Sequence, residues 1–485
     1  MKACCNFRFW SVSFLSLKSS IESKINTPQR RMKLMQKSSD SDENLSSHHH
    51  TKYDLQTPHP IRSPSEKLES LARACEILGI DDFDVYGDFT ANPPDTSHLR
   101  RFENELAEVL GKEDAVFMPS GVMAQNIALL IHSQSNRSRE KNSEQKNMFA
   151  CHHTSHLVLH EQNAYRDLLG MEALIISTSS KANENKEGYD NEIGTKPMSL
   201  VDVQNAFEDF ENKFSMNDKE IPQLATLILE IPHRELGGKL TPYDDILQIS
   251  KLCKQKGVKY HCDGARIFEA VAGYNHQNNE KILLKEVVEP FDSVYVSFYK
   301  GLGSISGAML FGTKEFCDEA RVWLRRFGGN LYTLLPYYAS SWAGYRQNFC
   351  LQNGFEMGAS DIQLMTFGDK VKKIVRVVNL LSTDDDIKSV VTFDPKIPET
   401  NMVHVYIKGS VSSLEKVRDE VESKYGIKVF KRIREISLHS QESALGYESM
   451  LELGIGDANG NIPDDVFLKG WKNVSYGLKQ IQGST

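Results

Sequence analysis

Apolar residues recur every three or four positions over 65–78 and again over 97–110, where Leu99, Phe102, Leu106, Val109 and Leu110 share one face; both stretches predict amphipathic helices. Pro64 and Ser65 signal the start of the first, and Gly111 ends the second. Between them, 84–88 reads as a loop. Short apolar runs at 115–118, 174–177, 227–231, 259–261 and 293–297 predict strands. Pro119-Ser120-Gly121 turns the chain into a helix over 122–131, and a further helix is expected over 244–255. The polar stretch 132–147 reads as a surface loop, and 181–197, rich in Asn, Glu, Lys and Gly, as an exposed insertion. Strands and helices in alternation predict an α/β large domain with a mostly parallel sheet, in which ligands bind beyond the carboxyl ends of the strands.

The pattern changes after a helical region at 361–381. A polar turn at 382–386 is followed by strands at 402–407, 427–430 and 451–455 and helices at 414–425 and 463–478, the makings of a small C-terminal α+β domain. The expected division is a disordered leader and linker over 1–56, a large domain over 57–381 and the small domain over 382–485. Residues 1–31 hold six Lys/Arg, several serines and one acid, Glu22. Such a leader suits a mitochondrial presequence or a dispensable segment ahead of Met32 or Met35; a cytoplasmic protein is the main expectation. His48-His49-His50 lies in a Ser/Asp-rich linker and reads as a solvated tract.

Composition narrows the function classes. With 485 residues, 40% hydrophobic and 25% charged, the chain can bury a large core. A net charge of −8, with no basic stripe interleaved with aromatics, argues against a nucleic-acid binder. No apolar run spans a bilayer, so no membrane partner is expected. Eight cysteines without C-x-x-C spacing suit reduced thiols, and no His/Asp/Glu cluster has metal-ligand spacing.

The chemistry concentrates in two places. Lys300 follows the alternating run Val294-Tyr295-Val296 and precedes Gly301-Leu302-Gly303, so its amine sits between a strand end and a glycine turn, where it can form a Schiff base. Asp263, in His261-Cys262-Asp263-Gly264-Ala265-Arg266, ends a neighbouring strand and can hold a protonated ring nitrogen. Together they suggest pyridoxal phosphate (PLP) carried on Lys300.

The series Tyr86-Gly87, Pro119-Ser120-Gly121-Val122-Met123-Ala124, His156 with Glu161, Glu230 with His233 and Gly237-Gly238, Asp263-Gly264-Ala265-Arg266 and Lys300-Gly301-Leu302-Gly303 resembles the threonine aldolase/aromatic amino acid β-eliminating lyase family. The resemblance runs over about 84–348 and more weakly beyond. It implies the PLP-dependent aspartate-aminotransferase fold (fold type I), with Lys300 as the Schiff-base lysine and Asp263 as partner of the pyridine nitrogen. Gly121 and Val122 would offer backbone N–H groups to the cofactor phosphate at a helix N-terminus. Ser297 would add a hydroxyl, a plain buried serine being the alternative. His156 resembles the histidine that stacks on the cofactor ring, with His153 and His160 competing for the role. His233 falls where the family has a histidine near the substrate side chain, and Arg266 where a contact to cofactor or substrate carboxylate is expected; a structural histidine and an ordinary surface arginine are the alternatives.

Departures touch the substrate more than the cofactor. The family's Ser-Asp-Thr triplet is absent around 58–65, and Val122 stands where the family has Thr. Gly328-Gly329-Asn330-Leu331-Tyr332-Thr333 puts Tyr332 where the family has an arginine that reaches a neighbouring subunit. Met450-Leu451-Glu452-Leu453-Gly454 lacks the usual carboxylate-binding arginine, for which Arg432 and Arg434 are substitutes. The resemblance implies a lyase that cleaves a small-molecule β-hydroxy amino acid by retro-aldol chemistry, threonine giving glycine and acetaldehyde, with Lys300, His156 and His233 catalytic, in a homodimer or homotetramer. Elimination, racemisation and a non-catalytic descendant are the alternatives.

Overall fold

In the computed structural model, residues 51–87, 97–134, 147–178, 196–215, 223–278, 281–349, 365–437 and 440–483 are described. The expected leader up to residue 50, most of the 132–147 loop, nearly all of the 181–197 insertion and the start of the 361–381 helical region lie outside them.

Seven strands make the central sheet: β1 (Asp114–Met118), β2 (Met148–His152), β3 (Glu172–Ile176), β4 (Leu224–Glu230), β5 (Lys259–Asp263), β6 (Ser293–Ser297) and β7 (Ala308–Gly312). Their order is β1-β7-β6-β5-β4-β2-β3. Four neighbouring pairs are parallel, and β7 alone runs antiparallel to both of its neighbours, β6 and β1. Every residue of β1, β2, β4, β6 and β7 is buried. Such strands must be covered on both faces, which is why β1 and β4 read as nearly continuous apolar runs rather than as an alternation.

Helices α1 (Pro64–Leu78), α2 (His98–Leu110), α3 (Gly121–Gln134), α4 (Tyr243–Lys256) and α5 (Ile267–Gln277) belong to this part of the chain. Ser63 caps α1 in a reciprocal arrangement with Glu66, one residue before the expected start, and Gly79 closes the helix in the left-handed conformation. Helix α3 carries the main correction to the sequence reading. It runs to Gln134, so His132 sits in its last turn, 3% exposed, rather than in a surface loop.

A second core gathers Leu55, Ile374, Val377, Val403, Leu453 and Trp471, among others. Its antiparallel sheet orders Arg434–Glu435, Ser449–Gly454, Met402–Ile407 and Val391–Asp394. Helices α6 (Phe367–Ser382), α7 (Val411–Tyr425) and α8 (Asp464–Gln482) contribute to it. Tyr53–Asp54 pairs in parallel with Ile427–Lys428, and Asn459 Nδ2 donates to Leu55 O at 2.9 Å, so the start of the described chain is fastened to this unit.

Candidate active site

Polar side chains on a doubly covered sheet need a reason, and here they collect at carboxyl ends: His152 on β2, Glu230 on β4, Asp263 on β5 and Ser297 on β6, each buried. Register aligns them, with Glu230 opposite Asp263 and Asp263 opposite Tyr295. The crevice at these strand ends is where an open α/β sheet binds its ligands.

Lys300 lies three residues beyond β6 in a tightly bonded turn. Gly303 N–H donates to Lys300 O at 3.1 Å, and Ser304 N–H to Phe298 O at 3.0 Å. Burial, then the Arg266 guanidinium, depress its amine below the usual lysine range, while Asp263 and Glu230 oppose them. A depressed amine is a better nucleophile near neutral pH. Asp263 is 3% exposed and pushed up to about 6 by burial and by Glu230, against the pull of Lys300 and His156. Its Oδ2 accepts from Gln125 Nε2 at 2.6 Å and its Oδ1 from Ala265 N–H at 3.1 Å. A buried carboxylate held so high favours a cation beside it.

His156 opens a short helix after β2. Its Nδ1 lies 3.0 Å from Glu161 Oε1, and its backbone N–H reaches Glu230 Oε2 at 3.4 Å. The Glu161 bond raises its pKa, burial opposes, and Asp263 and Lys300 both act on it. Of the competitors, His160 pairs with Glu235 at 3.1 Å with its ring 5.1 Å from that of His156, and His153 meets His152 in a tilted ring contact at 4.2 Å. His233 is 2% exposed, with Nε2 2.9 Å from Thr154 Oγ1 and 3.9 Å from Glu230 Oε2, and its ring meets His152 edge-on. It is thus linked to Lys300 and Asp263 through Glu230. Arg266 stands at the N-cap position of α5 and acts on both Lys300 and Glu269.

The residues present fit PLP. A Cβ added at Gly121 would lie 2.1 Å from Tyr295 Oη, so only glycine lets the start of α3 approach β6 this closely. That approach brings the first turn of α3, whose Gly121 and Val122 amides have no acceptor inside the helix, against Tyr295 of β6. Ser297 Oγ is buried there without a hydrogen bond of sound geometry, although the Tyr295 hydroxyl is close enough to feel it. A buried hydroxyl without a partner costs about 1–3 kcal/mol, which a phosphate oxygen would recover. Asp263 would hold the pyridine nitrogen and Lys300 the aldehyde carbon.

Sequence reasoning missed Gln125 and Arg234. Gln125 left one signal, being one of two adjacent polar residues, with Asn126, in the otherwise apolar stretch Ala124–Ile131 of α3, and it is 1% exposed. Arg234 left none. It follows β4, donates from Nε to Glu452 Oε2 at 2.9 Å, and acts on Lys300. Glu452 stands in the segment that lacks the family's arginine, so an acid there is met by a base from the other side of the cleft.

Comparison with known proteins agrees with this geometry. The family model for beta-eliminating lyases matches residues 79–377. A probable low-specificity L-threonine aldolase 2 of Arabidopsis thaliana is 28% identical over 278 residues, 57% of this chain and 68% of its own. The low specificity L-threonine aldolase of Escherichia coli K12 is 27% identical over 248 residues, 51% of this chain and 60% of its own. The crystal structure of a putative L-allo-threonine aldolase from Listeria monocytogenes EGD-E superposes with a TM-score of 0.65 at 26% identity, covering 89% of this chain and 98% of that one. A family match over well more than half the chain, a fold-type-I sheet and a lysine, aspartate and glycine cradle suited to PLP agree: the chain belongs to the beta-eliminating lyase family of PLP-dependent lyases.

Proposed function

We propose that this enzyme cleaves β-hydroxy amino acids of the threonine type between Cα and Cβ, releasing glycine and an aldehyde. The observation that carries the reading is the juxtaposition of Lys300 and Asp263 with His156 at the carboxyl ends of parallel strands, each acting electrostatically on the others. PLP, when bound, supplies an electron sink for the pair released at Cα.

The remaining roles fall to the chain itself. Lys300 would hold the cofactor and give way to the substrate amine, helped by its depressed pKa. Asp263 keeps the ring nitrogen protonated. Gly121, Val122 and Ser297 hold the phosphate. Arg266 and Arg234, both near enough to act on Lys300, hold the substrate carboxylate. As Cα–Cβ breaks, the hydroxyl proton leaves for a base and the β-carbon departs as an aldehyde; a proton then returns to Cα. His156, with a side chain 31% exposed, is the accessible base, whereas His233, 2% exposed, is held between Thr154 and Glu230.

The test is aldehyde release from a panel of β-hydroxy amino acids, with glycine formed in equal amount. Keto acid and ammonia instead of aldehyde would replace this reading with β-elimination. A homo-oligomer is part of the proposal: exposed Phe83 and Tyr332 adjoin a Tyr86–Tyr332 ring contact of 5.6 Å, and light scattering on the purified chain would measure the assembly. Free cysteines 75, 151, 253, 262 and 317 suit a reducing compartment, and fractionation of cells carrying the tagged full chain would distinguish cytosol from mitochondria.

A further inference from the structure

Behind Asp263, away from the crevice, lies an unbroken file of buried polar groups drawn from α3, β5 and β6. Gln125 Nε2 is 2.6 Å from Asp263 Oδ2, and Gln125 Oε1 is 2.7 Å from His261 Nε2. His261 Nδ1 is 2.7 Å from Ser293 Oγ, which is in turn 2.6 Å from His132 Nε2. All five residues are no more than 3% exposed.

Donor and acceptor identities along the file follow from one end. A carboxylate only accepts, so the Gln125 amide must turn its NH₂ toward Asp263 and its oxygen toward His261. That oxygen requires a proton on His261 Nε2, which leaves Nδ1 bare. Bare Nδ1 accepts from the Ser293 hydroxyl, and the serine oxygen accepts from His132 Nε2–H. Every bond then donates toward Asp263. Burial supports a neutral His261, lowered to about 3, and a neutral His132, lowered to about 4. The reversed file, in which a protonated Asp263 donates to Gln125, is also fully satisfied, so the chain has two orientations and no intermediate one. In a dry site a half-turned file would strand a donor or an acceptor.

We propose that Gln125 and His261 are positioning residues that hold Asp263 as a carboxylate through this single-file hydrogen-bond chain, whose far end is set by Ser293 and His132. The inference rests on the cofactor reading, not on which amino acid is cleaved. Ionised Asp263 keeps a pyridine nitrogen protonated, so the orientation of the file governs how strongly electrons are drawn from Cα. Other groups also face the two ends: Glu230, Lys300 and His156 act on Asp263, and Asp292 and Lys259 on His132.

Two measurements test this. In apo protein labelled with ¹⁵N-histidine, His261 is expected as the neutral Nε2–H tautomer throughout the neutral range; an Nδ1–H tautomer would overturn the proposal. In holoenzyme, Gln125→Leu removes a hydrogen bond to a charged acceptor, which corresponds to about one to two pH units in the Asp263 titration. The pH dependence of the cofactor absorbance is therefore expected to move upward, with kcat reduced and KM for the amino acid near wild type. Ser293→Ala, remote from the crevice, shifts the same titration in the same direction by less, and serves if Gln125→Leu does not fold. A wild-type absorbance titration in Ser293→Ala, or in a folded Gln125→Leu, would sink the idea whatever substrate the enzyme turns over.

Discussion

The two ends of the crevice are built differently. At the cofactor end, Asp263, Ser297 and Gly121 sit on strand ends and a helix start, buried and fixed by register. At the end where the proposed substrate carboxylate would sit, beside Arg234, a cavity of about 520 Å³ is lined by Gln56, Arg234, Lys431, Arg432, Arg434 and Glu452, from loops and short strands of the second unit and the turn after β4. There the charges are paired in part: Arg234 binds Glu452, and Arg434 and Arg234 hold the Glu235 carboxyl down to about 2. The cofactor end leaves a buried hydroxyl, Ser297 Oγ, unsatisfied until a ligand arrives, whereas in the cavity Arg234 and Arg434 already have acid partners and Lys431 and Arg432 add a positive excess. A site of the first kind dictates its ligand's chemistry; one of the second kind can be retuned by exchanging partners.

Breaking the cofactor end should have the largest effect. Lys300→Ala is expected to lower kcat by about a thousandfold or more and to abolish borohydride trapping of PLP on the chain, checked by peptide mapping. Gly121→Ala drives a methyl into Tyr295; overpacking of about 1–3 kcal/mol corresponds to PLP binding weakened roughly 5- to 150-fold by equilibrium titration. Tyr295→Phe, which removes the hydroxyl in conflict, should recover only part of that loss, because the methyl would still lie 2.7 Å from the ring carbon Cζ. At the substrate end, Arg234→Ala should raise KM about tenfold with PLP affinity unchanged, while Glu452→Gln, by releasing the guanidinium, should lower KM. Equal KM effects from both variants would show that Arg234 only braces Glu452. The smallest effect is a displacement in pH. Because Glu161 raises the His156 pKa, base-form His156 accumulates at a higher pH than it would for an unpaired histidine, and kcat should decline with acidification from that higher pH. Glu161→Gln should move that limb to lower pH.

The contrast also explains what the chain order of residues made legible. Lys300, Asp263, Gly121 and Ser297 stand in local strings whose elements have strong signals, and the structure brings all four to neighbouring elements. Strands β2 and β7 escaped notice because Met148–His152 ends in Cys and His beside a polar stretch, and Ala308–Gly312 lies just past Gly307. Their strand character comes from the neighbours that flank them. His132 was misjudged as loop because a histidine after an apolar run resembles an exit to solvent, yet its partner Ser293 lies 161 positions on. The same distance effect hid Arg234, whose partner Glu452 is 218 positions away. Helix caps such as Ser63 and Ser97, being local, were legible to within a residue or two.

The fastening of the first described residues to the second core has a consequence for how the chain is made. Gln56 Nε2 donates to Arg432 O, 376 positions away, beside the Tyr53–Asp54 pairing with Ile427–Lys428. At roughly 5–20 residues per second, a ribosome needs on the order of 20 to 75 s to deliver the second partner after the first. Throughout that interval Leu55, fully buried in the finished protein, has no core to enter. The segment around it must wait exposed, a target for chaperones, until nearly the whole chain has emerged.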